Sequence, residues 1–294
     1  MADSVEMQDI RGLEIDKVVK GFALKEYVFK SSCQVSSTSA DHIRYYTETA
    51  DDLTATDPST IKNISPLSSF PTLEVTWTRN TSYIKKYAAE GFISMEDAKS
   101  ADIDVLARSL LRLTRAVVKQ VDADIWDVMS ESQAPSNIQY FDVDNVGGAI
   151  SGYGQWDTIS GSVVKDLLHA KKLLADYGYN PEGATLFVSP TDYRNIMSFL
   201  IDVKGSSIPQ WSSNQMDGTT MTLVGLNLKV STNVTADYAL VCVPQRATTW
   251  KSFTDTTAVA IEEKGIGTKI RVWELGIAYN TDPKAIVLIQ DTQF

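Results

Sequence analysis

The stretch that decides the fold is residues 265–289, which read GIGTKIRVWELGIAYNTDPKAIVLI. It predicts a long strand, a turn at the Asp-Pro pair, and a short apolar strand. Successive side chains of a strand point to opposite faces, so Ile270 and Val272 share one face while Trp273 and Leu275 share the other. The apolar face therefore changes sides between Val272 and Trp273. Such a change predicts either a β-bulge or a strand that is covered on both sides.

The preceding part of the chain, residues 151–250, alternates helical and strand patterns. Helical spacing of apolar residues predicts a helix over 162–177, with Gly178 as its C-cap. A buried strand is predicted at 184–188, and a second helix is predicted to begin at Ser189-Pro and end near residue 201. Two short strands are predicted to pair across Gly225, before another strand at 238–243.

The longest helix is predicted over residues 100–131. Its apolar residues recur at steps of three and four, namely Ile103, Leu106, Leu110, Leu113, Val117, Val121, Ile125 and Val128. Ser94 and Asp97 form a capping-box pattern just before it. At ~1.5 Å per residue such a helix is on the order of 48 Å long, which is uncommon in a compact enzyme domain.

The first 95 residues predict an arm and an extended hairpin. Residues 1–26 predict an arm with one short helix, and residues 27–35 and 70–78 predict strands. In the second of these strands, Leu73, Val75 and Trp77 share an apolar face. The segment between them, residues 36–69, is polar and contains two prolines. It is either a surface insert or a long arm that packs on a neighbouring subunit.

This order of elements resembles that of the major capsid proteins of tailed phages, whose Hong-Kong-ninety-seven-type fold is shared by the encapsulin shell proteins. The resemblance lies in the hairpin followed by a long helix, and in the closing strands with their Trp273-Glu pair and Asp-Pro turn. It covers about residues 27–289 and implies an α+β fold. Its parts are an N-terminal arm (1–26), an extended hairpin called the E-loop (27–95), the first part of a P-domain with a long spine helix (96–150), an A-domain (151–250), and the closing long strands of the P-domain (251–294).

Composition excludes several other classes of protein. The 294 residues carry a net charge of −10, which argues against nucleic-acid binding over the whole surface. Cys33 and Cys242 are too isolated for a disulfide framework or a zinc site. No apolar run reaches the ~18 residues of a membrane span, and the acidic start of the sequence is unlike a secretory signal.

Catalytic patterns are incomplete wherever they begin. His42 and His169 lack a neighbouring residue that would mark a catalytic base. The Ser-x-x-Lys pairs at Ser82 and Ser162 lack the motifs that accompany them in enzymes. The Gly147-Gly segment lacks the Gly-Lys-Ser/Thr of a phosphate-binding loop, and the Asp-x-Asp pattern at residue 142 lacks most ligands of a calcium loop. We therefore expect no enzymatic activity, no cofactor and no metal site.

A covalent link between subunits is the one reaction that the resemblance raises. In some relatives a lysine is joined to an asparagine of another subunit. Lys62 and Asn280 lie in regions where such partners would fall, although nothing in the local sequence marks them.

A group of cations on the long helix is a candidate binding surface. Arg108, Arg112, Arg115 and Lys119, here called the cationic face, fall within about 60° of one another and opposite the apolar side of the helix. They form either an ordinary solvated face or a surface that faces packaged nucleic acid inside a shell.

These observations together predict a major capsid protein that assembles into hexameric and pentameric rings and an icosahedral shell around double-stranded DNA. The expected location is the virion capsid, which is assembled in the host cytoplasm. Separate scaffolding, portal or decoration proteins are the expected further partners, and no association with a membrane is expected. Leu73, Val75, Trp77 and Trp273 are the predicted contacts between subunits. An encapsulin-type shell around protein cargo is the alternative, and a soluble hydrolase or binding module is the third hypothesis.

Overall fold

The computed structural model describes residues 5–48, 63–66, 68–70, 77–100, 105–131, 138–143, 154–158, 161–202 and 222–293. The helices in these ranges are α1 (Val5–Glu26), α2 (Met95–Ser100), α3 (Val105–Ser130), α4 (Val163–Asp176) and α5 (Pro190–Asp202). The strands are β1 (Gln34–Ser37), β2 (His42–Glu48), β3 (Trp77–Tyr83), β4 (Lys85–Ser94), β5 (Gln139–Asp142), β6 (Thr185–Val188), β7 (Thr222–Leu223), β8 (Leu226–Val230), β9 (Ala239–Cys242), β10 (Thr248–Glu263), β11 (Gly267–Asn280) and β12 (Ile286–Gln290).

The chain divides into two compact units, and the first combines Met1–Ile43, Ser82–Asp127 and Thr249–Tyr279. Its sheet has four strands in the order β1-β10-β11-β4. Strands β11 and β4 pair antiparallel without interruption, from Gly267 opposite Ser94 to Gly276 opposite Lys85. The predicted long strand is therefore confirmed, and the bulge is absent from this paired length.

One face of β11 is buried from Ile270 to Ala278, so the predicted change of apolar face is wrong. The buried residues alternate regularly and include Val272, Glu274 and Gly276. A glycine is needed at 276 because a Cβ there would come within 2.4 Å of the Trp250 ring. A buried carboxylate and a glycine thus interrupt the apolar pattern although the buried face continues. On the opposite face Trp273 and Leu275 are half-buried and Arg271 is exposed, so the subunit covers this face only in part.

Helix α3 supplies the apolar layer beneath this sheet. Val117, Val121 and Ile125 are buried, as the helical spacing predicted. Gly91 of β4 lies against Leu113, whose Cδ1 would be 2.9 Å from a Cβ at the glycine. The 26 residues of α3 span about 39 Å and lie within the predicted range. Residues 101–104, which precede it, lie outside the described part of the chain.

The N-terminal arm differs from the prediction in length. Helix α1 has 22 residues, where the sequence suggested one short helix. Val19 and Ala23 are buried along its inner side. The carboxylate of Asp16 accepts a hydrogen bond from the backbone N–H of Ala258 in β10 at 3.2 Å. These contacts fix the second half of α1 within the first unit.

The second unit combines Arg44–Thr81, Val128–Thr248 and Asn280–Phe294. Its six strands have the order β5-β12-β9-β6-β8-β7. Every residue of β6 and β9 is buried, as expected of strands whose two faces are both covered. Helix α4 packs with Val163, Leu167, Ala170 and Leu174 buried. The last strand, β12, lies between β5 and β9, so it belongs to a different sheet from β10 and β11, with which the sequence analysis had grouped it.

The caps and turns of this unit follow the local sequence. Gly178 has φ +78° at the end of α4, as its predicted C-cap role requires. The Ser189 hydroxyl accepts a hydrogen bond from the N–H of Asp192 at 3.0 Å and so caps α5. Val224 and Gly225 both have positive φ, which makes the tight turn between β7 and β8. In the first unit, Ser94 likewise caps α2 through the N–H of Asp97 at 3.0 Å.

Strands β2 and β3 pair as a separate two-stranded sheet. The predicted strand at 27–35 is wrong in its first part, because a 3-10 turn occupies Lys30–Ser32 and β1 begins only at Gln34. Of the strand predicted at 70–78, residues 77 and 78 begin β3, which runs from Trp77 to Tyr83, and residues 71–76 lie outside the described part of the chain. Leu73 and Val75 lie outside the described residues, as does the side chain of Trp77.

Candidate assembly and nucleic-acid interfaces

The cationic face lies on the exposed side of α3. Arg108, Arg112, Arg115 and Lys119 are all exposed. Arg115 has contacts within its own subunit, since its Nη2 lies 3.2 Å from Oε1 of Glu26 and its guanidinium lies 5.3 Å from the centre of the Phe22 ring. The end of α1 therefore packs against the middle of the cationic face. Arg112 lies about one turn before this contact and Arg108 about two turns before it.

The same side of α3 binds the segment that follows α1. The Asp122 carboxylate accepts hydrogen bonds from the N–H groups of Val28 at 2.7 Å and Lys30 at 3.1 Å. The ring of Phe29, which lies between them, packs on that of Trp126 with 5.5 Å between ring centres. Burial raises the pKa of Asp122 to about 6 although these N–H groups favour the ionised form. No local sequence pattern indicated this docking site.

A buried ion pair holds the same segment to the four-stranded sheet. The Lys30 ammonium lies 2.5 Å from one oxygen of Glu274, and the hydroxyls of Tyr27 and Thr256 donate to the other oxygen. Glu274 is fully buried, and the Lys30 ammonium lies 4.4 Å from the centre of the Tyr27 ring. Burial beside this carboxylate strongly raises the pKa of Tyr27. The hydrogen bonds compensate the glutamate for the loss of water, so the cluster is structural.

Trp273 lies on the opposite, outward face of the same sheet. It borders a shallow groove, in which the small side chain of Ala88 lies between the larger Lys86, Glu90 and Arg271. Arg271 and Glu90 form an exposed ion pair across the two strands. Phe92 is half-exposed further along β4 on this face. A groove with an aromatic side and a charged side suits a protein contact.

The residues tested for chemistry have structural surroundings. The exposed His42 contacts Asp41 at 2.8 Å, and His169 packs its ring edge to face against Phe141 at 4.8 Å. Burial lowers the pKa of His169 and raises that of the Cys242 thiol to about 12. In the described part of the chain, no group of three or more histidine, cysteine or acidic side chains could hold a metal ion.

Asn280 is unsuited to a link between subunits. It is buried, its Nδ2 donates to the carbonyl of Val128 at 2.7 Å, and its Oδ1 accepts from the Thr248 hydroxyl at 3.0 Å. Lys62, its hypothetical partner, lies outside the described residues.

None of the helices in the described ranges is long and apolar enough to cross a membrane.

Comparison with known proteins identifies the class to which this fold belongs. Solved structures with the same fold include the capsid of cyanophage P-SCSP1u, with a TM-score of 0.65 at 12% identity over 90% of this chain and 88% of the other. A virus-like particle from Pyrococcus furiosus has a TM-score of 0.61 at 12% identity over 95% and 99%. The mature capsid of bacteriophage PhiM1 has a TM-score of 0.61 at 11% identity over 91% and 88%. A search of curated proteins found no match.

The family assignment rests on the sequence itself. The sequence model of a family described as phage capsid protein matches residues 79–289, well over half of the chain. The chain belongs to this family. It is a structural, non-enzymatic protein of the virion that assembles with further copies of itself into the capsid shell, and the α+β capsid fold predicted from the sequence is confirmed.

Proposed function

We propose that the protein forms an icosahedral shell, built from hexameric and pentameric rings in the host cytoplasm, around double-stranded DNA. The observation that carries the DNA part of this proposal is the cationic face. It is exposed on a chain whose net charge is −10, so most of the surface repels DNA and this helix is a local exception. A lumenal position of this face would bring its cations to the phosphates.

Arg108 and Arg112 are the residues to test, because they precede the contact between Arg115 and α1. Changing both to glutamine should leave shells intact and reduce the DNA packaged per shell. For free subunits, the loss of about two phosphate contacts should lower the slope of log affinity against log salt by about 1.8. The measurements are the nucleic-acid content of purified shells and a salt titration of DNA binding.

The matched control is K172Q/K264Q, which removes two exposed cations elsewhere. Packaging and salt slope should stay at the wild-type level in this control. Equal behaviour of the two variants would overturn the assignment of the cationic face to DNA. Native shells that hold a cargo protein and no nucleic acid would select an encapsulin-type compartment instead.

The contact between subunits is proposed at the groove beside Trp273. The half-buried indole and the adjacent Ala88 leave room for side chains of a neighbouring subunit. Leu73, Val75 and Trp77 of the neighbour are the proposed occupants, because they precede or begin β3 and form an apolar face in the sequence. The proposal predicts that the hairpin is protected from proteases in shells.

A further inference from the structure

Strand β10 has an open edge along most of its length. The strand runs from Thr248 to Glu263, whereas β1 pairs with it only as far as Ser252. Within the described part of the chain, no other strand joins β10 on this side. The backbone N–H and C=O groups of an open edge can pair with a strand of another chain. Residues 253–263 of β10 are here called the open edge.

The open edge contains a short sequence that favours such pairing. Residues 256–261 read TTAVAI and contain neither a charged residue nor a proline. Val259 and Ile261 share one side of the strand and are 39% and 36% exposed. Uncharged windows of about six residues with a strong strand preference are those through which chains associate. Asp255 and Glu262 flank this window, so the residues between them are the length over which two copies could pair.

One hydrogen bond shows which backbone groups point to the open edge. The carbonyl of Ser252 accepts from the N–H of Thr38, the residue after β1, at 2.8 Å. Residue 252 therefore faces the side on which β1 ends. Neighbouring residues of a strand direct their N–H and C=O groups to opposite edges, so every second residue after Ser252 faces this side too. Ala258 is one of them and lies in the middle of the open edge.

Asp16 of α1 lies at this middle position. Its Oδ1 accepts the hydrogen bond from the N–H of Ala258 at 3.2 Å. Val19 and Ala23, three and seven residues further along, share this side of the helix and are buried, which fixes the carboxylate beside the strand. Lys20 pairs with Asp16 at 2.8 Å, and only 21% of the aspartate side chain is exposed.

We propose that Asp16 blocks the open edge of β10 and so prevents two copies of this chain from joining their sheets through it. The same edge on two antiparallel copies is self-complementary, because each presents alternating donors and acceptors to the other. Asp16 takes the donor that an added strand would need at Ala258, and its carboxylate would repel the carbonyl of that strand. A capsid requires its copies to associate only through contacts that close a shell, and edge pairing would compete with them.

The inference rests on α1 and β10 alone. It uses neither the cationic face of α3 nor the groove beside Trp273. Its failure would therefore leave the proposals about DNA and about the groove unaffected.

Asp16→Ala tests the block in the full-length protein. At the same protein concentration, the variant should form thioflavin-binding aggregates that are not shells at least about tenfold faster than wild type. The amide of Ala258 should also exchange its hydrogen about tenfold faster, as measured by mass spectrometry on free subunits. Asp16→Asn keeps an oxygen acceptor and should behave as wild type. The control Asp176→Ala removes an exposed aspartate at the end of α4 and should do so too.

A double variant separates loss of the block from unfolding of the subunit. Val259→Lys, added to Asp16→Ala, places a charge in the uncharged window at a side chain that is already 39% exposed. Like charges would then meet when two open edges pair, so the excess aggregation should disappear while the exchange at Ala258 stays fast.

Three results would overturn the proposal. The first is wild-type aggregation and exchange in Asp16→Ala. The second is aggregation of Asp16→Asn at the rate of Asp16→Ala, because the hydrogen bond would then not be the block. The third is aggregation that persists in the double variant, because the loss of Asp16 would then act by unfolding the subunit.

Discussion

At the scale of single residues, Glu274 has the greatest structural importance. It is the one carboxylate on the buried face of β11, and it joins the sheet to Tyr27 and Lys30 in the segment after α1. On the opposite face of the same sheet, Glu90 and Arg271 form an ion pair with both side chains about half exposed. Each pair includes one residue of β11, and the two pairs differ in burial, so their loss can be compared.

Glu274→Gln should lower the free energy of unfolding by about 3–5 kcal/mol, because it leaves the Lys30 ammonium buried without its countercharge. Glu90→Gln should cost less than about 1 kcal/mol, since water screens the exposed pair. Denaturant titration of both variants measures the difference. Equal losses would show that the buried cluster is no more important than a surface pair.

Asp122 gives the protein a distinct pH dependence. Its pKa is about 6 in the folded protein against 3.8 in the unfolded chain, so the folded state takes up a proton that the unfolded state does not as the pH falls. Its contribution to stability therefore increases on acidification through pH 6 and is complete below pH 3.8. Between pH 7.5 and 5, wild type should gain about 1 kcal/mol relative to Asp122→Asn.

The measurement is the free energy of unfolding of both proteins at several pH values. Taking the difference between wild type and variant cancels the other titrating groups, including Asp166, whose pKa burial also raises to about 6. A difference that stays constant with pH, or that falls on acidification, would contradict this account of Asp122.

At the scale of elements, the β2–β3 hairpin is the part whose stability should depend on assembly. A two-stranded sheet is marginally stable alone in water. Arg44, exposed in β2, should be cut by trypsin quickly in free subunits and slowly in shells, where a neighbour would cover the hairpin. Lys172 in the middle of α4 is the internal control, because its cleavage reports general unfolding. Equal rates at Arg44 in both states would mean that the hairpin does not join subunits.

The same scale shows what sequence patterns can predict. Helices α4 and α5 were predicted within two residues, because their apolar spacing agrees with Gly178 and Ser189 as caps. Strand character at 27–29 was wrongly predicted, since the N–H of Tyr27 donates to the carbonyl of Ala23 and those of Val28 and Phe29 donate to Asp122, and none donates to a sheet. The length of α1 was underestimated because its apolar residues are only loosely spaced. The spacing of apolar residues predicts hydrogen bonds within a helix. It cannot predict that the carboxylate of Asp122, more than 90 positions away in the chain, accepts the N–H groups of Val28 and Lys30.

At the scale of the whole molecule, the capsid fold was predictable from the order and lengths of its elements, and its family then followed from residues 79–289. The exposed positions of Arg108 and Arg112 were also predictable, because they lie opposite the apolar side of α3. The contact of Arg115 with α1 and the buried Lys30–Glu274 pair were not. Both join residues far apart in the chain, and charged residues are ordinarily exposed.

The position of β12 between two earlier strands affects the order in which the protein can fold during synthesis. This strand leaves the ribosome after β5, β6, β8 and β9, yet it fills the place between β5 and β9. The six-stranded sheet therefore lacks the strand that joins β5 to β9 until translation has passed residue 290. A nascent chain would thus lack a finished second unit, so polysomes carrying many incomplete subunits would be protected from premature shell growth.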